Sequence, residues 1–183
     1  SDNVRPDLEV CVFGEKMVNT INIDESFQNE NNFITMLGSH RGELNGSLYQ
    51  KEIQKISSES IPSVDLGMEA RLQEVVLQGI QTRLIQSVSN VSTGGLAAAI
   101  AKSLSHSENG IGARIHLSRK LRQDEMLFGE TQGLVIVSIK ESDLMEFERI
   151  CMTIGIPSTT IGRVTGDGRF TFNDVVNVAR EDL

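Results

Sequence analysis

The sequence predicts an α+β domain in which a mixed β-sheet is layered with helices, and three stretches carry that expectation. Leu134-Val-Ile-Val-Ser-Ile139 is an unbroken apolar run, the pattern of a central strand covered on both faces. Leu72, Val75, Val76, Gly79, Ile80 and Leu84 recur with helical periodicity behind Asp65, whose short carboxylate suits a helix N-cap. In Gly112-Ala-Arg-Ile-His-Leu117, Ala113, Ile115 and Leu117 alternate with Arg114 and His116, as in a strand with one buried face.

The remaining elements follow in order. Leu8-Glu-Val-Cys-Val-Phe13 reads as a strand ended by Gly14, and the Asn- and Glu-rich stretch from Asn19 to Asn32 reads as a loop. Phe33-Ile-Thr-Met-Leu37 is a second β-like run closed by Gly38. Gly42-Glu-Leu-Asn-Gly-Ser-Leu-Tyr49 is a turn leading into a short helix through Gln54, and Ser57 to Ser63 is a linker within the domain. From Gln86 to Ser105 a polar run collapses into two glycines and opens a helix with Leu96, Ile100 and Leu104 on one face. Ser105 to Gly110 is a loop. Ser142 is positioned to cap a helix carrying Leu144, Phe147, Cys151 and Ile154, which Gly155 and Pro157 stop. Thr159-Thr-Ile-Gly-Arg-Val164 and Arg169-Phe-Thr-Phe172 read as a hairpin about Thr165-Gly-Asp-Gly168, and Ala179 to Leu183 ends mid-element. The expectation is four or five strands and three substantial helices in one domain, with no internal repeat.

Composition narrows the function classes. The chain has 183 residues, 39% of them apolar, enough for a core, but only 4% are aromatic and none is Trp, so that core is aliphatic. A net charge of −8 argues against a nucleic-acid surface. Arg119-Lys120-Leu-Arg122 is the one local basic cluster, either steering a phosphate or forming a solvated loop. Cys11 and Cys151 are too few and too isolated for a disulfide framework or a zinc site; a reducing, cytoplasmic setting is expected, with Cys151 buried as a small apolar residue. No apolar run approaches the ~20 residues of a membrane helix, and Ser1-Asp2-Asn3 does not begin a signal peptide. His40 and His106 fall in loops and His116 points outward, so no metal-ligand pair or Ser-His-Asp set is legible.

Two stretches are candidates for chemistry. Asn90, Ser92 and Thr93 favour turns and N-caps, while Gly94 and Gly95 admit positive φ and close approach of another group. A small-residue turn feeding a helix N-terminus exposes N–H groups that suit a phosphate oxygen; it is equally the form of an ordinary capped helix. It is neither a P-loop, which needs a lysine after its last glycine, nor the dinucleotide-binding glycine pattern. In Gln123-Asp-Glu-Met-Leu-Phe-Gly-Glu-Thr-Gln-Gly133, an apolar triplet runs into Glu130, Thr131 and Gln132. A buried turn with a carboxylate and an amide is either a satisfied structural knot or a ligand contact.

Taken together, these stretches resemble the second C-terminal-type domain of phosphoribosylformylglycinamidine synthase, within the aminoimidazole-ribonucleotide (AIR) synthetase superfamily. Gly42-Glu-Leu-Asn-Gly-Ser-Leu-Tyr49 is similar to the family's Leu-Gly-x-x-x-x-Glu-Leu-Gly-Gly-Ser-x-Tyr segment. Ser89-Asn-Val-Ser-Thr-Gly-Gly-Leu96 lies where the family carries His-Asp-x-Ser-Asp-Gly-Gly-Leu. Leu127-Phe-Gly-Glu-Thr-Gln-Gly133 is similar to Leu-Phe-Gly-Glu-Ser-Gln-Gly-Arg, and Ile161-Gly-Arg-Val164 to Ile-Gly-x-Val. Order and spacing agree over about residues 30 to 175. The Phe-Gly-Glu form points to the second half of the enzyme, since the first-half copy carries Ser-Glu-Ser-Gln-Glu-Arg.

The resemblance implies that residues 1–183 form a single AIR-synthetase-C-like domain, a C-terminal fragment of a longer multidomain chain. The full enzyme is an ATP-dependent C–N ligase of purine biosynthesis that uses ATP, Mg2+ and glutamine-derived ammonia to convert formylglycinamide ribonucleotide to the amidine. Its partners would be the other domains of its own chain, a glutaminase and small accessory subunits, with no nucleic acid and no membrane. The fragment is expected to be mainly structural, inactive alone and without a cofactor of its own. Glu130, Thr131 and Gln132 would be pseudosymmetric counterparts of a substrate-contacting turn, and Ser92, Thr93, Gly94 and Gly95 a nucleotide-phosphate pseudo-site. Asn90 stands where the family has a metal-binding aspartate, and a neutral amide oxygen is a much weaker ligand for a hard dication, so magnesium dependence should be weak. Ser89 replaces the family's His, Thr93 its second Asp and Leu134 its Arg. The competing expectations are a selenophosphate synthetase, thiamine-phosphate kinase or hydrogenase-maturation relative, or a non-catalytic binding or assembly module on the same fold.

Overall fold

The computed structural model describes residues 11, 13, 21–56, 60, 62–108, 110–117 and 121–183. The expected strand at Leu8–Phe13, apart from Cys11 and Phe13, part of the Ser57–Ser63 linker, and Arg119 and Lys120 of the basic cluster lie outside them. Seven strands form one sheet: β1 Phe33–Leu37, β2 Ile85–Asn90, β3 Gly112–Ile115, β4 Val135–Ile139, β5 Ser158–Thr165, β6 Arg169–Phe172 and β7 Val176–Ala179. Their order is β2-β4-β1-β5-β3-β6-β7. All neighbours are antiparallel except β3 and β6, so the sheet is mixed as expected. Four α-helices, α1 Leu66–Gln81, α2 Gly95–Ser105, α3 Gln123–Phe128 and α4 Leu144–Ile154, pack on it. A π-helical turn at Gln50–Gln54 ends the short helical segment anticipated there.

Two apolar clusters sandwich the sheet. Leu96, Ile100 and Leu104 of α2 and Met126 and Leu127 of α3 pack on Ile34, Met36, Ala113, Ile115, Ile161, Val164, Phe170 and Phe172. On the opposite face, Leu72 and Val75 of α1 and Phe147, Ile150 and Cys151 of α4 meet Val135, Val137 and Ile139. Strand β4 feeds both layers, Ile136 into the first and its odd-numbered neighbours into the second, which is why its five residues are all buried. The Asp65 carboxylate caps α1 by accepting from the Met68 N–H at 3.0 Å. Burial pushes the Cys151 thiol up to about 11. The Arg180 guanidinium donates to the carbonyls of Leu104 and Ser107, satisfying acceptors at the C-terminal end of α2.

Several expectations change. The polar run from Gln86 is not a turn but most of β2, hidden because its inward positions are serines: Ser87 and Ser138 are buried and their hydroxyls lie 2.6 Å apart. A serine pair that satisfies itself can replace aliphatic residues on a strand's inner face. The expected hairpin is split. β5 and β6 do not pair, because β3 lies between them, with Ala113 opposite Val164 on one side and Phe170 on the other. Ser142 does not cap α4; a 3-10 turn at Glu141–Asp143 intervenes, Asp143 is the N-cap residue, and the Ser142 hydroxyl donates to Asp143 at 2.7 Å. The acidic turn itself suits the positive end of the helix. β7 and the short α3 carry too little periodicity to be read from sequence.

Among the described residues, those of β5, β3 and β6 that join an apolar cluster join only the α2–α3 one, and their other face carries Arg163, Arg114 and Thr171. Among the described residues, no helix is long and apolar enough to cross a membrane.

Candidate functional site

Three stretches far apart in sequence meet at the N-terminus of α2. Gly94 is the N-cap residue, with φ of 85° and no side-chain cap, and Gly95 follows with φ of 72°. Both values lie in the left-handed region that favours glycine. A Cβ on Gly95 would fall 2.6 Å from the Phe128 carbonyl carbon, so the bare backbone is what lets α2 abut the end of α3. Immediately beyond Phe128, the Glu130 carboxylate turns back: its Oε1 accepts from the Gly94 N–H at 2.8 Å and from the Leu48 N–H at 2.9 Å. The Glu130 N–H donates to the Glu43 carbonyl at 2.8 Å. Tyr49 stacks on Phe128, with centroids 4.9 Å apart and planes 5° from parallel. One carboxylate thus ties the Gly42–Tyr49 turn, the α2 N-terminus and the Phe128–Gln132 turn into a single junction.

Beneath it lies a second knot. Thr131 is fully buried, and its hydroxyl oxygen accepts from the backbone N–H groups of Arg41 at 3.2 Å and Glu43 at 3.5 Å. His40, also buried, has Nε2 2.9 Å from the Met126 carbonyl and Nδ1 accepting from the Gly42 N–H at 3.3 Å. That pairing assigns the proton to Nε2 and a neutral ring. Sequence reasoning leaves His40 in a loop, since a lone histidine carries no sign of this role.

The predicted residues therefore divide. Gly94, Gly95, Glu130 and Thr131 come together. Ser92, Thr93 and Gln132 lie exposed on the rim, Gln132 donating to the Glu130 carbonyl at 3.4 Å. The expectation that Asn90, Ser92 or Thr93 supplies a side-chain cap is not met, because Gly94 occupies the cap position. Asn90 ends β2 opposite Val135 and lines a different depression, about 700 Å³, with Glu69, Leu72, Gln73 and Leu77 of α1.

The chemistry of this arrangement is oxyanion binding by backbone N–H groups at a helix N-terminus, and the oxyanion is the chain's own carboxylate. Among the described residues, no three His, Cys, Asp or Glu side chains gather at metal-binding distance, and Asn90 lines its depression with the carboxylates of Glu69 and Glu74. Its own contribution there is a neutral amide oxygen, a weaker ligand for a hard dication than a carboxylate.

The mixed seven-stranded sheet with helices on both faces and the glycine–carboxylate junction at α2 define a layered α+β domain. The chain belongs to the AIR synthase related protein, C-terminal domain family, which matches residues 29–175. A relative named phosphoribosylformylglycinamidine synthase subunit PurL, from Symbiobacterium thermophilum, is 34% identical over 146 residues. That alignment takes in 79% of this chain and 19% of the relative, so the chain spans about a fifth of that protein's length. Two structures from Thermotoga maritima share the fold. PurL complexed with FGAR has a TM-score of 0.75 at 18% identity, covering 89% of this chain and 29% of that one. PurLQS has a TM-score of 0.71 at 18% identity, covering 87% and 27%.

Proposed function

We propose that this chain is the C-terminal domain of an ATP-dependent ligase of purine biosynthesis that converts formylglycinamide ribonucleotide to the amidine with glutamine-derived ammonia. The observation that carries the reading is the family match over residues 29–175 together with 34% identity over 146 residues to a PurL subunit. Within that ligase the domain's role is architectural. Glu130 spends its carboxylate on Gly94 and Leu48, and Thr131 is enclosed, which leaves Gln132, Ser92 and Thr93 as the side chains free to meet a substrate or phosphate arriving from a neighbouring domain. ATP and magnesium belong to the other domains of the parent protein. Its partners are those domains, a glutaminase and a small accessory subunit, and its setting is the cytoplasm.

The test compares the 183-residue chain with the full protein encoded by its reading frame, each given ATP, Mg2+, ammonium and formylglycinamide ribonucleotide. The full protein is expected to form the amidine and the isolated chain to form none. Turnover by the chain alone overturns the architectural role, and inactivity of the full protein overturns the ligase assignment. Titration of the chain with ADP, with and without Mg2+, should show no magnesium-dependent complex.

A further inference from the structure

Asn45 and Gly46 form the corner of the turn that carries Leu48 and Tyr49 to the α2 junction. The Ser47 N–H donates to the Leu44 carbonyl at 3.0 Å, closing a β-turn with Asn45 and Gly46 at its central positions, both exposed. Gly46 has φ of 73°, a left-handed value that glycine supplies at the third residue of such a turn. The pair is chemically labile as well as a turn former. No side chain shields the glycine nitrogen, which lies one residue beyond the asparagine amide and is able to attack it.

In that reaction the Gly46 nitrogen gives up its proton and bonds to Cγ of Asn45, closing a succinimide ring. The bond from Cγ to the side-chain nitrogen breaks, and that nitrogen takes up a proton and leaves as ammonia. Water then opens the ring at either carbonyl, giving aspartate or isoaspartate. In the folded chain the nucleophile is occupied, because the Gly46 N–H donates to Oε1 of Gln50 at 3.0 Å. Gln50 is buried and held in place: its own N–H donates to the Ser47 hydroxyl at 3.1 Å, and its carbonyl accepts from the Ile56 N–H at 3.1 Å. Attack requires the Gly46–Gln50 bond to break and the Leu44–Ser47 bridge to loosen.

We propose that Asn45 is a site of spontaneous deamidation and that Gln50 sets its rate, keeping the pair unreactive while the turn is closed. The product acts on the junction. Isoaspartate inserts an extra carbon into the main chain ahead of Gly46, and either product adds a negative charge to a turn that already carries Glu43 and whose Leu48 N–H must reach Glu130 at 2.9 Å. A transient opening of the turn is thereby converted into a lasting change at the N-terminus of α2. The chemistry needs only water, and it stands independently of the purine assignment.

The experiment is peptide-mapped mass spectrometry of the 183-residue chain incubated at neutral pH in buffer and in urea, scoring Asn45 separately from the other Asn-Gly pair at residues 109–110. Asn45 should deamidate in urea and at least about fivefold more slowly in buffer, the factor that one hydrogen bond of ordinary strength supplies. Gln50→Leu should remove most of that difference while its circular dichroism stays native. Amide hydrogen exchange gives a reading that needs no variant, since the Gly46 N–H should be protected in the wild type. The deamidated chain, separated by its added charge, should unfold at lower urea than the intact chain. No conversion in urea, equal rates in buffer and urea, an unprotected Gly46 N–H, no acceleration in a folded Gln50→Leu chain, or an unchanged urea midpoint after deamidation overturns the proposal.

Discussion

At the scale of single residues, Glu130 does the most with one group. Two backbone donors from different segments converge on one of its oxygens, so removing the carboxylate leaves both without their acceptor. Charge-assisted hydrogen bonds of this kind contribute about 2 kcal/mol. Glu130→Ala should therefore lower the urea midpoint by an amount equivalent to about 2 kcal/mol, whereas Glu130→Gln, which keeps an acceptor oxygen, should lose about half as much. Equal stability of wild type and Glu130→Ala would show that the junction does not depend on this carboxylate. The sequence made Gly94, Gly95 and Glu130 stand out individually, because glycines before a helix and a carboxylate in an apolar turn are each locally unusual. Their meeting was not legible. Residues 94 and 130 are joined by a bond that depends on where α3 sits, and no local pattern encodes that.

At the scale of elements, the same limit explains β2. Period-two reading looks for aliphatic residues on the inner face, and here Ser87 and Ser89 hold those positions. Ser87 and Ser138 offer a clean test, since each is buried with the other as hydrogen-bond partner. Ser87→Ala alone should cost about 1–2 kcal/mol by stranding the Ser138 hydroxyl, and the double change to alanine should cost less than either single change. Additive losses in denaturant titrations would contradict that pairing. α1, α2, α4, β1 and β4 could be read because each carries its own periodicity or continuous apolar run. The β5–β6 connection misled for a physical reason. Its Gly-Asp-Gly turn is compatible with a hairpin, and only the burial of Ala113 and Ile115 between two strands decides against one.

At the scale of the molecule, both apolar clusters share one sheet, with β4 contributing side chains to each. Neither layer can separate without exposing that strand, so unfolding should be a single cooperative transition. Tyr49 is the chain's only tyrosine in the absence of tryptophan, and it sits at the α2 junction stacked on Phe128. Its fluorescence and far-ultraviolet circular dichroism should give coincident urea transitions; a Tyr49 change preceding the loss of secondary structure would mark the junction as a separate unit. The placement of β3 has a further consequence for synthesis on the ribosome. Both neighbours of β1, and both neighbours of β3, are encoded downstream of them. Until Ser158–Phe172 has emerged from the exit tunnel, β3 has neither partner and β1 lacks one, leaving bare strand edges open to other nascent chains. The middle of this sheet is therefore completed only once β5 and β6 have been made, and chaperone protection should matter most just before that segment appears.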